Sequence, residues 1–461
     1  MAGATGAELD DMQGLLHSAF RTLPNACFAM YTLGEAAGGR RFLSRIAGRV
    51  TSASARDVPV ATQVALSATG LRAIGLPDAV VGGFSLEFQA GIAAPQRSRF
   101  LGDNLGRWTW GMPGGPRVDV LVCTYARTSE ELHAEVAKVD AAAAEGGGSD
   151  AKRLETRTLS PTEPFGFLDG ISDPFVPELA SRAQVANPPA AQPVPLGEFV
   201  LGYRDIYGLL TQRPVLPHSV DPANLLPTVP PGTDQGNPEG GADLGRNGSY
   251  LVLRTLGQDT AGFDRYVREQ ASASGLDAEL LAAKMVGRWR SGASLVMSPD
   301  RDRPYLADAN DFGYNVDDPR GLRCPIGAHV RRANPRDSLD PSPGSAQSLA
   351  VTDRHRIMRR GRKFIDADGT AGLHFVALNA NLGRQFEFVQ HTWLNNPKFG
   401  DLYDDVDPLV GPRGERSVFT VPDQPLRRRF AGLPDFVTTL GGAYLFLPGL
   451  RALHYLSEGL W

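Results

Sequence analysis

Two blocks of alternating strand and helix patterns, separated by a long stretch too rich in proline and glycine to form a core, limit what this chain can become. In the first block residues 25–33 and 60–66 read as strands, and residues 35–50 as a helix with Phe42, Leu43 and Ile46 on one side. Ser67 caps a helix start. Val118, Val120 and Val122 then alternate in a strand over 118–125, and Thr128 with Glu131 forms a capping box for a helix carrying Leu132, Val136 and Val139. In the second block, residues 250–254 read as a strand, Asp259 starts a helix with Phe263, Tyr266 and Val267, and residues 278–289 read as another helix. Leu373, Phe375 and Ala377 alternate in a strand, and Leu382, Phe386, Val389 and Trp393 follow at helical spacing. A last strand is expected over 443–447 and a short helix over 450–456. The rise in Ala, Gly and Ser over 142–150 predicts a flexible link, and 187–246 reads as long surface loops. No short-period repeat is present, so the pattern predicts two similar layered halves, residues 1–245 and 246–461.

Composition narrows the function. With 47 basic and 51 acidic residues in 461, a net charge of −4, no broad electrostatic surface for nucleic acid or anionic lipid is expected. The three cysteines, Cys27, Cys123 and Cys324, form no Cys-x-x-Cys pair for zinc and no Cys-x-x-Cys-His for covalent haem, and read as reduced thiols. The start carries Glu8, Asp10 and Asp11 rather than a basic, then apolar run, and no apolar stretch approaches the roughly 18–20 residues of a membrane span, so a cytoplasmic protein is expected. His-Glu-x-x-His, Gly-x-Ser-x-Gly and phosphate-loop motifs are absent, which removes support for a zinc hydrolase, an α/β hydrolase or a nucleotide-phosphate enzyme.

Three stretches carry side chains suited to chemistry. In Glu163-Pro164-Phe165-Gly166-Phe167-Leu168-Asp169-Gly170-Ile171 a carboxylate sits in an apolar run, where desolvation raises its proton affinity; Asp-Gly is also a common turn. In Cys324-Pro325-Ile326-Gly327-Ala328-His329-Val330-Arg331-Arg332 a lone histidine is followed by arginines. Such a histidine is more often structural, but as a metal ligand without neighbours it suits haem, which brings its own equatorial nitrogens. The third, Asp353 to Lys363, is a basic run that reads either as a solvated face or as a source of charge stabilisation.

Together these stretches resemble the dye-decolourising peroxidases. Gly166-Phe167-Leu168-Asp169-Gly170 matches the family's Gly-x-x-Asp-Gly motif, His329 falls at its proximal haem ligand, and Arg359 at its distal arginine, with Arg360 the alternative. Similarity extends through Leu66-Ser67-Ala68-Thr69-Gly70-Leu71, residues 195–203 and residues 247–254, and the long central loops resemble the larger subtypes. The resemblance implies an α+β fold of two ferredoxin-like domains packed through antiparallel sheets, and one non-covalent haem b per chain with His329 on the metal. It implies hydrogen peroxide as oxidant and dyes, phenols or other bulky aromatic donors oxidised in one-electron steps, with no nucleic-acid or membrane partner. Asp169 is then the acid and base, Arg359 the charge stabiliser, and Arg331 or Arg332 a propionate ligand; Glu387 is the candidate partner of the second His329 nitrogen. Trp289, Trp393 and Tyr403 are candidates for oxidation at the surface, with core packing as their other reading. The alternative is a haem-binding storage, delivery or iron-release protein, which needs His329 but not Asp169 with Arg359.

Overall fold

A computed structural model of the protein describes residues 7–156, 161–181, 184, 192–366, 368–414 and 417–461. The first block folds as β1 (Asn25–Thr32), α1 (Ala36–Ala47), β2 (Val60–Leu66), β3 (Val120–Ala126), α2 (Ser129–Glu145) and β4 (Ser149–Thr156). The capping box forms: the Thr128 hydroxyl accepts from Glu131 N, and the Glu131 carboxylate accepts from Thr128 N. The expected link over 142–150 does not exist as such. Its alanines extend α2, glycines 146–148 make the turn, and β4 pairs antiparallel with β1.

The second block gives β5 (Ser249–Gln258), α3 (Thr260–Ser274), α4 (Ala278–Val286), β6 (Arg362–Ile365), β7 (Ala371–Asn379), β8 (Val437–Leu447) and α5 (Leu450–Glu458). Gly383–Glu387 and Val389–Leu394 are π-helical where the apolar spacing predicts an α-helix. The strand orders are β2-β3-β1-β4 in the first half and β6-β7-β5-β8 in the second. Each half is therefore a ferredoxin-like unit, and all the pairings are antiparallel.

Alternation along the strands explains how the halves join. In β1, Ala26, Phe28 and Met30 point one way and Cys27, Ala29 and Tyr31 the other; in β5, Leu251 and Leu253 oppose Tyr250 and Val252. Phe28, Leu121, Tyr125, Leu251, Val376 and Leu445 share one core, so the two sheets pack face to face. They also meet edge to edge at Phe446 of β8 and Leu66 of β2. The outward face of β5 and β7, carrying Arg254, Leu256, Gln258, Leu373 and Phe375, is left to line a cavity. A register shift between Thr439 and Gly441 turns Val437 of β8 toward the same cavity.

The stretch read as surface loops, whose residues 187–191 lie outside the described residues, is more built than expected. Leu196, Phe199 and Val200 enter the inter-sheet core, and Val215–Leu216, Thr228–Val229 and Gly241–Asp243 form a small sheet. Arg213, fully buried, ties it together through Asp234 at 2.9 Å and Asp243 at 2.7 Å. Among the described residues no helix is long and apolar enough to cross a membrane. The three cysteines are buried and unbridged, Cys27 in β1 and Cys123 in β3 as expected.

Candidate active site

The loop bearing Asp169 is held from beneath by a second acid. Glu163 accepts from Phe165 N and Phe167 N at 3.0 Å each and from Gln258 Nε2 of β5 at 2.8 Å. Burial pushes the Glu163 carboxyl above the usual range, partly offset by those three donors. Gly166 turns at φ +90°, and a Cβ there would meet Arg290 at 2.7 Å, so glycine is required. Phe165 and Phe167 pack on Phe263 of α3 and are buried. Asp169 itself does not share their burial. Its side chain is 52% exposed, against the desolvation expected from its neighbours, because the aromatic residues turn into the core while the carboxylate opens to the cavity. It also makes the local turn contact, accepting from Gly170 N at 2.6 Å.

The basic run is not a solvated face. Arg359 extends from the two-residue strand Met358–Arg359, which pairs with β7, and its Nη1 lies 3.4 Å from Asp169 Oδ1. Arg360 faces away from the cavity. Its Nε donates to Leu15 O at 2.8 Å and its Nη2 to Leu16 O at 3.2 Å, and two residues on Arg362 donates to Leu23 O and Phe20 O. Strand alternation thus sends Arg359 to the cavity and Arg360 and Arg362 to the seam with the first half. Burial opposes the charge on Arg359, but Asp169 and Asp173 outweigh it and raise its proton affinity.

His329 opens the one-turn helix His329–Ala333 and lines the same cavity. Its Nδ1 lies 2.9 Å from Oδ2 of Asp407, whose Oδ1 accepts from Leu409 N and Val410 N at 2.9 Å each. Burial disfavours the imidazolium, but the charge and hydrogen bond of Asp407 outweigh it and raise the histidine; the same pairing and the Val410 amide overcome burial to lower Asp407. Nε2 makes no hydrogen bond among the described residues. Glu387 is not the partner: it is held by Arg97 at 2.6 Å and Tyr444 at 2.9 Å. Asp407 lies 78 residues from His329, with no local motif to announce it.

Neither arginine after the histidine reaches the cavity. Arg331 donates to Cys324 O at 2.8 Å and Asp318 O at 3.1 Å and packs over Tyr314. Arg332 donates to the carbonyls of Trp393, Asn396 and Asp405. Two and three positions along a short helix, they point to other sides than His329 does. The cavity's further guanidiniums are Arg254, in a readable strand, Arg356, in the basic run, and Arg288, which had no signal. Among the described residues no group of three or more His, Cys, Asp or Glu side chains is arranged to hold a bare metal ion. An apolar slot between Phe375, Phe386, Leu168, Val389 and Leu394, with one unpartnered imidazole nitrogen and guanidiniums to meet acid groups, fits a flat macrocycle bearing carboxylates, which is haem.

No protein-family model matches the chain. The dye-decolorizing peroxidase msp1 of Mycetinis scorodonius is 27% identical over 492 residues, covering 98% of this chain and 88% of that protein. The multifunctional dye peroxidase of Amycolatopsis is 34% identical over 235 residues, 45% of this chain and 49% of that protein. The crystal structure of a fungal DyP-type peroxidase from Auricularia auricula-judae superposes with a TM-score of 0.77 at 26% identity, covering 98% of this chain and all of that one. Over nearly its whole length the chain is similar to dye-decolourising peroxidases. By that similarity it is an enzyme, and its two ferredoxin-like halves match the fold of those peroxidases. Of the aromatic residues considered for oxidation at a peroxidase surface, Trp289 and Trp393 are buried, Trp289 donating to Ser298 O at 2.7 Å, while Tyr403 is 70% exposed.

Proposed function

We propose that the cavity binds one non-covalent haem b through His329 Nε2 and that the protein uses hydrogen peroxide to oxidise dyes, phenols or similar aromatic donors. The observation that carries this reading is the ion pair of Asp169 and Arg359 in the cavity that His329 also lines. Bound there, haem would supply the redox centre that accepts two oxidising equivalents from peroxide and passes them on singly to donors. Asp169 takes a proton from one peroxide oxygen and returns it to the other as the O–O bond breaks, which its open carboxylate suits. Arg359, protonated at every working pH, stabilises the negative charge that develops on the departing oxygen. Asp407 orients His329 and, as a buried carboxylate accepting from Nδ1, makes the imidazole a stronger donor. The propionates are assigned to Arg254, Arg288 or Arg356, which line the cavity, in place of Arg331, which does not.

The two halves divide this work, residues 1–245 contributing Asp169 and residues 246–461 contributing His329 and Arg359. The test is the absorption spectrum of haem-loaded protein before and after one equivalent of hydrogen peroxide, at acidic and neutral pH. A rapid, complete change of the Soret band that a phenol or dye reverses is the expected outcome. A haem spectrum indifferent to peroxide would leave a haem carrier and return Asp169 to the role of a turn residue.

A further inference from the structure

Asp173 lies four residues beyond Asp169, and the reading above gives it no part. Its carboxylate reaches two guanidiniums, Oδ2 lying 3.4 Å from Arg360 Nη1 and Oδ1 3.7 Å from Arg359 Nε. Oδ1 is buried and accepts no hydrogen bond among the described residues. The two arginines differ in freedom. Arg360 is fixed by the carbonyls of Leu15, Leu16 and Arg359, whereas among the described residues the Arg359 guanidinium has only the two carboxylates, with Nη1 3.4 Å from Asp169 Oδ1. An anchored cation therefore holds one oxygen of Asp173, and the other is turned to the cation that also serves Asp169.

We propose that Asp173 is a positioning residue that shares Arg359 with Asp169, so that the guanidinium stays at the site without claiming the Asp169 carboxylate for itself. The inference rests on the function proposed above. An opposite charge within ~4–6 Å makes a carboxylate a weaker base, and a neighbouring negative charge makes it a stronger one. Asp173 acts in the second sense, directly and by drawing on Arg359. The Asp169 carboxylate is thereby left free for the peroxide proton. The other charged groups facing Asp169 are Glu163 and Arg21, whose Nη2 lies 3.4 Å from Gly170 O; Arg359 also faces His329, Arg288 and Arg356. Of these, Arg356 also feels the charge of Asp173.

Two readouts on the haem-loaded protein test it in Asp173→Asn. One is the infrared carboxylate band of Asp169 followed against pH, identified by its loss in Asp169→Asn, which needs no peroxide. The other is the pH profile of the second-order rate of the spectral change on mixing with hydrogen peroxide. In Asp173→Asn the band's midpoint and the acid limb of the rate should both move down by about one pH unit, with a plateau about tenfold lower. Asp173→Glu should restore both, and haem content should stay unchanged. An unshifted midpoint overturns the proposal, as does a uniform loss of rate that Asp173→Glu does not rescue. Should Asp173→Asn not fold, Asp173→Ser is read the same way. If the wild type does not react with peroxide at all, the function proposed above fails, and the infrared midpoint still decides whether Asp173 tunes Asp169.

Discussion

At the scale of single residues, the proposed function separates groups that would touch the reacting atoms from groups that hold them. Replacing Asp169 by Asn keeps the turn, since an amide oxygen still accepts from Gly170 N, but removes the base of the proposed mechanism. Haem content and resting spectrum should be retained while the peroxide rate constant falls by about 10²–10⁴-fold, read by stopped-flow absorbance. Asp407 acts through His329. In Asp407→Asn the imidazole loses its anionic partner while the Leu409 and Val410 amides still find an acceptor, so haem affinity should drop by about 10–100-fold, measured by transfer of haem to an apo acceptor. An affinity equal to wild type would mean that Asp407 serves only its loop. That Asp169, His329 and Arg359 are candidates was legible because each sits in a local run with a distinctive composition, and the three line one cavity. Asp407 was not, since its only signal is a fold that closes 78 residues of chain, and the Arg331 assignment failed because nearness in sequence to a ligand says nothing about direction on a helix of one turn.

Among the elements, the strands with clean alternation were readable and the irregular ones were not. β8 runs from Val437 to Leu447, but only 443–447 looks like a strand, because Gly441, Gly442 and a register shift interrupt its pattern. β4 is polar on its exposed side and was lost beside a glycine turn. β7 has two occupied faces, Leu373 and Phe375 toward the cavity and His374, Val376 and Leu378 toward the other sheet, and so places an imidazole in an apolar seam. His374 is 2% exposed and stacked on Phe364 at 4.4 Å, and burial holds it at about 4, below the usual 6.5. The unfolded chain therefore takes up a proton between about pH 6.5 and 4 that the folded chain refuses. Stability contributed by neutral His374 is complete above pH 6.5 and is lost as pH falls toward 4, by about 3 kcal/mol at most. His374→Phe should flatten this dependence. Urea unfolding at pH 7.5 and 4.5 should show a smaller acid loss in the variant than in the wild type, and equal losses would place the acid sensitivity elsewhere.

For the whole molecule, the question is whether two ferredoxin-like units behave as two domains or as one. Hydrogen bonds cross between them repeatedly. Gln13 Nε2 donates to Pro448 O at 2.9 Å, Leu450 N donates to Asp11 O at 2.8 Å, and Arg360 and Arg362 donate to carbonyls of residues 15–23. Above all, Leu445 of the second sheet and Phe28 and Leu121 of the first are fully buried in a single core. A cavity made on one side of that core removes packing from both sheets, and the surroundings relax only in part. Leu445→Ala should therefore cost about 2–5 kcal/mol and leave one cooperative transition. Hydrogen exchange distinguishes the two possibilities more sharply than a melting curve does. If the halves unfold together, the most protected amides of β1 and β3 should lose protection by the same free energy as those of β5 and β8, although the substitution lies in β8. Loss confined to β5–β8 would show a second half that opens alone. The site would then be cut at the seam in the open state, because Arg359 and His329 would leave with the second half and Asp169 would stay with the first.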